Sequence, residues 1–212
     1  MPLFTLKNIN FKNIICYKKI EIKADCATFI CGESGSGKST LLKLLNGVIT
    51  PTSGDIIYNR ENINTLNPIA LRQEVLLAGQ AACLFDKSVK DNFCTYHSYR
   101  NLDIMCNEKI KHFLKICSVN LPLNSMCNIL SGGERQRIFL AINLSLGAKV
   151  LMLDEPTSAL DDKNAHIFMQ NLKAYCKEKQ MTLIVVSHDS AMAEQYADHI
   201  ITLKGGGGNE RE

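Results

Sequence analysis

The chain predicts an α/β fold built on a mostly parallel central sheet. Three observations carry this. The segments "CATFICG", "KVLMLDE" and "MTLIVVSHD" are continuous apolar runs of the kind buried on both faces of a sheet. Helical segments separate them, and strand–helix–strand order with such runs implies parallel pairing covered on both sides. At the other end of the chain, "FTLKNINF" and "YKKIEIK" alternate, with Ile20 and Ile22 on one side and charges on the other, which predicts a smaller antiparallel β region.

Taken in order, the two alternating strands come first, then the apolar run "CATFICG", which ends in glycine. "STLLKLLNGV" reads as a helix, with Leu41, Leu42, Leu44 and Leu45 as its apolar face and Gly47 near its end. "PTSGDIIYN" is a turn and short strand, and "EVLLAGQ" another apolar strand. From about residue 91 to 145 the chain turns polar and helix-like ("NEKIKHFLKICSV"), which predicts a small helical subdomain. The two apolar strands "KVLMLDE" and "MTLIVVSHD" follow, with a helical segment between them. Residues 1–204 are expected to form one domain and 205–212, "GGGGNERE", a flexible tail.

Composition limits the function classes. The 212 residues are 46% hydrophobic and 21% charged, which supports a packed core. A net charge of +3, with both signs interspersed, is no argument for a nucleic-acid partner, and none is expected. No run approaches the roughly 18 apolar residues that span a bilayer, and the opening residues do not read as a signal peptide. The nine cysteines are scattered singly, without a C-x-x-C pair, and read as thiols in a reducing compartment.

"GESGSGKS", from Gly32 to Ser39, fits G-x-x-x-x-G-K-[ST] between an apolar strand and a helix. Glycines let backbone N–H groups curl around phosphate oxygens, and the helix adds its positive end. Lys38 supplies a point charge for β- and γ-phosphates, and Ser39 offers a hydroxyl to Mg²⁺. At the end of "VLMLDEP", Asp154 and Glu155 stand at the mouth of a parallel sheet, where ligands bind. Asp154 is placed to hold Mg²⁺ through water, and Glu155 to polarise an attacking water. His188 and Gln80 follow two further buried strands. The histidine is placed for a γ-phosphate contact, and the glutamine for Mg²⁺ or the water.

"LSGGERQR", from Leu130 to Arg137, holds an S-x-x-E capping box at Ser131 and Glu134, so a helix should start at Ser131. A cap does not require Gly132 and Gly133, each of which costs up to about 1 kcal/mol against alanine inside a helix. Close approach of an anion to bare backbone N–H groups does.

Together these residues resemble the ATP-binding cassette (ABC) ATPases over nearly the whole chain, with all motifs in family order. They are the Walker A loop at Gly32, Glu33, Ser34, Gly35, Ser36, Gly37, Lys38 and Ser39, with Thr40 beside it, then Gln80 of the Q-loop and the signature "LSGGE" at Leu130 to Glu134. Walker B at Val150 to Asp154 with Glu155, the D-loop "SALD" ending at Asp161, and the switch His188 complete the set. The resemblance implies an ABC-type P-loop NTPase fold, with ATP and Mg²⁺ as cofactors. It implies Lys38, Gln80, Glu155 and His188 in catalysis, and Ser39, Gln80 and Asp154 at the metal. It also implies contacts to ATP from Ser131, Gly132, Gly133 and Asp161.

In this family the signature of one chain closes over the γ-phosphate held by another. One cassette therefore implies an ATP-dependent homodimer. The family further implies a separate integral membrane permease, and so a place on the cytoplasmic face of the cell membrane. "LFDKSVKDN" resembles the exporter-type segment just after the Q-loop, and "NLPLNSMCNILSGGERQR" with the compact end "ADHIITLK" is similar to the small stand-alone ATPase subunits of the Fet-type bacterial iron exporter. Glu134 stands where many members have Gln, and Ile142 where many have Arg. Phe11 and Tyr17 are both candidates to stack on adenine. The competing readings are a soluble ABC ATPase of DNA repair or translation, a P-loop kinase, and a binding module without catalysis. The chain lacks the coiled-coil insertion or second cassette of the first. "LSGGE" with "SALD" argues against the second, and an intact Glu155 against the third.

Overall fold

The computed structural model describes residues 1–204; the stretch expected to be a flexible tail, 205–212, lies outside the described residues. Strands β1 (Pro2–Phe11) and β2 (Ile15–Lys23) form an antiparallel hairpin. Its turn uses Lys12 and Asn13, both at positive φ, the backbone that a tight hairpin needs. β3 is Ala27–Gly32; β4 (Ser53–Tyr58) pairs with β1, and β5 (Glu61–Asn62) with β4. This gives an antiparallel sheet in the order β2-β1-β4-β5.

The second sheet adds β6 (Val75–Ala78), β7 (Val150–Asp154), β8 (Thr182–Val186) and β9 (His199–Leu203) to β3. Its order is β6-β7-β8-β3-β9, and every pairing is parallel. Successive strand residues face opposite sides, so each apolar run feeds two cores. Val150 and Met152 of β7, with Ile184 and Val186 of β8, pack on one face with the antiparallel sheet. Leu151, Leu153, Leu183 and Val185 pack on the other.

Helix α1 (Lys38–Leu45) joins the first core through Leu41, Leu42, Leu44 and Leu45. A short helix α2 (Pro68–Glu74) precedes β6; Asn67 caps it and Pro68 starts it. The second core takes α3 (Val89–Tyr99), α4 (Asn107–Ile116), α5 (Gly132–Ser145), α6 (Asp162–Glu178) and α7 (Ser190–Tyr196). Helix α3 starts slightly ahead of the expected residue 91, because Ser88 caps it by accepting from Asp91 N–H. The fully buried Asn92 pins the segment after Gln80. Its Oδ1 accepts from Phe85 N–H at 2.9 Å, and its Nδ2 donates to the Phe85 carbonyl at 3.1 Å.

Strands β3, β6, β7 and β8 run in one direction, so their carboxyl ends share an edge. Gly32, Gln80, Asp154–Glu155 and His188 all follow from those ends. All nine cysteines are free thiols, and burial pushes Cys176 up to about 12.

Candidate active site

The turn from β3 into α1 holds the loop Gly32–Ser39. Gly37, with φ of 95°, is the N-cap of α1 and offers no side chain to it; the first turn of α1 also lacks an acid. Among the described residues, five of the other six α-helices are capped by a side chain, and α4, the exception, has Glu108 in its first turn. The N–H groups at the head of α1 are thus left for an external anion. Lys38 is 5% exposed, and its Nζ donates to the Gly32 and Glu33 carbonyls, both at 2.8 Å. A lysine has three donors, so one remains. Ser36 Oγ is buried without a partner. These donors fit a phosphate chain, because each N–H group, the ammonium and the hydroxyl can meet an acceptor oxygen.

Tyr17 corrects one expectation. Strict alternation from Ile20 and Ile22 would leave it on the polar face, available to a base. Instead it is 3% exposed. Asn8 of β1 takes φ of 48°, the register with β4 shifts between Lys7 and Asn10, and the burial phase slips there. Tyr17 Oη donates to the Gly37 carbonyl at 3.1 Å. It would lie 2.6 Å from a Cβ placed on Gly37. Tyr17 therefore packs against the phosphate loop with its ring buried, which makes it the less open of the two aromatic candidates. Phe11 is only partly buried.

The acid, amide and imidazole read from separate strand ends do meet. Glu155 Oε1 lies 2.7 Å from His188 Nε2, and Gln80 Nε2 donates to Glu155 Oε2 at 3.3 Å. The carboxylate is about a quarter exposed, so water reaches it between these partners. Two of its roughly four lone-pair positions remain to accept from a water. Asp154 ends β7 beside Val186, partly buried, and Ser39 is exposed at the start of α1. One carboxylate and one hydroxyl suit Mg²⁺, which keeps several waters and takes the rest of its ligands from phosphate.

At α5 the capping box is present in both directions. Ser131 Oγ lies 2.6 Å from Glu134 Oε2, and Ser131 N–H donates to that carboxylate at 3.0 Å. These two donors hold the Glu134 carboxyl below its ordinary range. The two glycines differ. A Cβ on Gly133 would come 3.2 Å from the Ala159 carbonyl, so this glycine is explained by close packing within the chain. A Cβ on Gly132 would meet nothing within 4 Å. Gly132→Ala is therefore expected to raise the unfolding free energy of the free chain, read by urea titration, by up to about 1 kcal/mol, and Gly133→Ala to gain less or lose. Equal gains would contradict this reading.

Asp161 is the N-cap of α6. It accepts from the backbone N–H of Asn164 at 3.0 Å, which with the Asn164 amide holds its carboxyl low. Ser158, the first residue of the D-loop, donates its Oγ to the Glu155 carbonyl at 3.0 Å, and Gln136, to which the sequence assigns no role, has its Nε2 3.5 Å from the same oxygen.

A phosphate-binding loop and a converging acid, amide and imidazole at one edge of a parallel sheet define an ATP-hydrolysing P-loop protein. The family model described as ABC transporter matches residues 18–158, and the chain belongs to that family as an ATPase and ATP-binding subunit. It is 34% identical to the probable iron export ATP-binding protein FetA of Escherichia coli (strain K12), over all of this chain and 95% of that protein. It is 32% identical to the phosphonates import ATP-binding protein PhnC of Wolinella succinogenes, covering 88% and 73% of the two chains. Among solved structures it is similar to the dimeric bacterial ABC transporter cassette MJ0796. The TM-score is 0.84 at 28% identity, covering 99% of this chain and 97% of that one. It is also similar to cbiO1 from Clostridium perfringens, part of the transporter complex cbiONQ (TM-score 0.83, 27% identity, 97% and 86% covered).

Proposed function

We propose that this chain hydrolyses Mg²⁺-ATP as a homodimer docked on the cytoplasmic face of a separate membrane permease, and that the cargo is iron, moved outward. The observation that carries the ATPase part is the Glu155 carboxylate, held between Gln80 and His188 at the sheet edge that also presents Lys38. In this reading the N–H groups of residues 33–40 and the Lys38 ammonium hold the phosphates. Ser39 and Asp154, with Gln80, hold Mg²⁺, which neutralises charge on the β- and γ-phosphate oxygens when bound. Glu155 orients and polarises the attacking water. His188, whose Nε2 is 2.7 Å from that carboxylate, turns to the γ-phosphate.

The dimer is supported by Gly132, whose missing side chain nothing among the described residues explains. The bare first turn of α5 suits the γ-phosphate of ATP held by a second copy, with the Ser131 hydroxyl leaving Glu134 to join it. Two identical chains then make two equivalent sites. ATP bridges both chains, and losing its γ-phosphate removes the bridge.

A docking surface supports a membrane partner. Tyr99, Leu102 and Ile104 at the end of α3 are 71%, 40% and 81% exposed, and the Tyr99 ring lies 6.1 Å from Phe85, in the segment following Gln80. A loop of the permease docked there would feel Gln80 move. Iron is supported by the full-length match to the probable iron export protein; the phosphonate importer is matched over less of the chain.

Two measurements test this reading. The purified chain with Mg²⁺-ATP is expected to release phosphate, and EDTA to bring the rate to background; release unaffected by EDTA would contradict the metal assignment. Expressed with its permease in iron-loaded cells, the chain is expected to lower cell iron. Unchanged iron alongside active ATP hydrolysis would remove iron as the cargo.

A further inference from the structure

Glu155 has φ of 53°, the left-handed region, although it carries a Cβ. That backbone costs about 1–2 kcal/mol for such a residue and persists only where the surroundings fix it. Its peptide groups are held from three directions. Its N–H donates to the Val186 carbonyl of β8 at 3.0 Å. Its carbonyl accepts from Ser158 N–H at 3.3 Å and Ser158 Oγ at 3.0 Å, both from the loop that follows. The third hold is Gln136 Nε2 at 3.5 Å, and it comes from α5.

Gln136 is 9% exposed on a helix whose next residues inward, Ile138, Phe139 and Leu140, are core. A primary amide is costly there unless it is bonded, and the partner it has is the carbonyl of Glu155. The same helix touches the same loop once more, where Gly133 fits against the Ala159 carbonyl. The first two turns of α5 and the loop from Glu155 to Ala159 thus meet at two points, one on each side of Ser158.

We propose that Gln136 is a positioning residue for Glu155, and that it makes the setting of that carboxylate depend on the seating of α5 in the same chain. This rests on the role given to Glu155 above. In the head-to-tail dimer, α5 engages the ATP held by the second copy, while Glu155 serves the ATP of its own chain. Closure over one nucleotide is then felt at the carboxylate of the other site.

The test uses the full chain with Gln136→Met, which keeps the length of the side chain and loses the donor, and Gln136→Asn, which keeps the amide and loses the reach. Both are expected to lower kcat about tenfold through a misplaced carboxylate, with the KM for ATP within about twofold of wild type. Added to Glu155→Gln, neither should lower the residual rate further, because they act through the group already removed. The ATP-dependent dimer of Glu155→Gln should survive both. A kcat unchanged in either variant would overturn the proposal. So would an equal loss in both backgrounds, or a loss that tracks lowered thermal stability. Failure of the Glu155 assignment looks different: Glu155→Gln itself would then turn over ATP at the wild-type rate.

Discussion

Glu155→Gln is expected to lower ATP hydrolysis by about 10²–10⁴-fold, the contribution of a positioned base to a proton transfer. The glutamine has the shape of the acid and can still lie between Gln80 and His188, so folding and nucleotide binding should be retained. What it loses is the charge that polarises water. The amide oxygen accepts a hydrogen bond but takes up no proton. The measurement is single-turnover phosphate release beside ATP affinity. Arrested release with affinity within a few-fold of wild type is the expected pair. Rapid release would remove Glu155 from its role, and the Gln136 inference would fall with it.

Ser131→Arg is expected to leave ATP binding to the single chain intact and to abolish steady-state hydrolysis. Ser131 caps α5, and losing a cap costs about 1 kcal/mol, which a domain of this size tolerates. The arginine also puts a long side chain where the γ-phosphate held by the second copy must enter. Its charge is attractive, so the block is steric: the head of α5 can no longer approach to hydrogen-bond distance. A fluorescent ATP analogue should bind with unchanged affinity while phosphate release falls to background. Unchanged hydrolysis would mean that one chain completes its own site.

The catalytic edge of this fold is legible because its strands are apolar throughout. "VLML" and "LIVV" leave no alternation to misread, and residues following such strands in a parallel sheet must share an edge. The meeting of Glu155, His188 and Gln80 follows from that, as does the capped start of α5 from S-x-x-E. The failures lie where one residue shifts a phase or where two distant segments touch. The positive φ of Asn8 moves Tyr17 from the face its neighbours predict into the core, and no spacing rule contains that irregularity. Edge strand β9 is half-exposed, with Ile200 at 47%, so it lacks the continuous apolar pattern of its neighbours. The bond from Gln136 to the Glu155 carbonyl links a helix and a loop through tertiary packing alone. No residue spacing in "GGERQRIFL" signals that contact.

The central claim is that the ATP site is completed by two copies of the chain. It is tested most directly by sedimentation of Glu155→Gln, which should hold ATP without consuming it. With ATP the species should have twice the 23.6 kDa chain mass, and with ADP that of one chain. Adding Ser131→Arg should return the ATP sample to a single chain. A single chain with ATP before Ser131 is changed, or a dimer that persists after it is, would contradict the account.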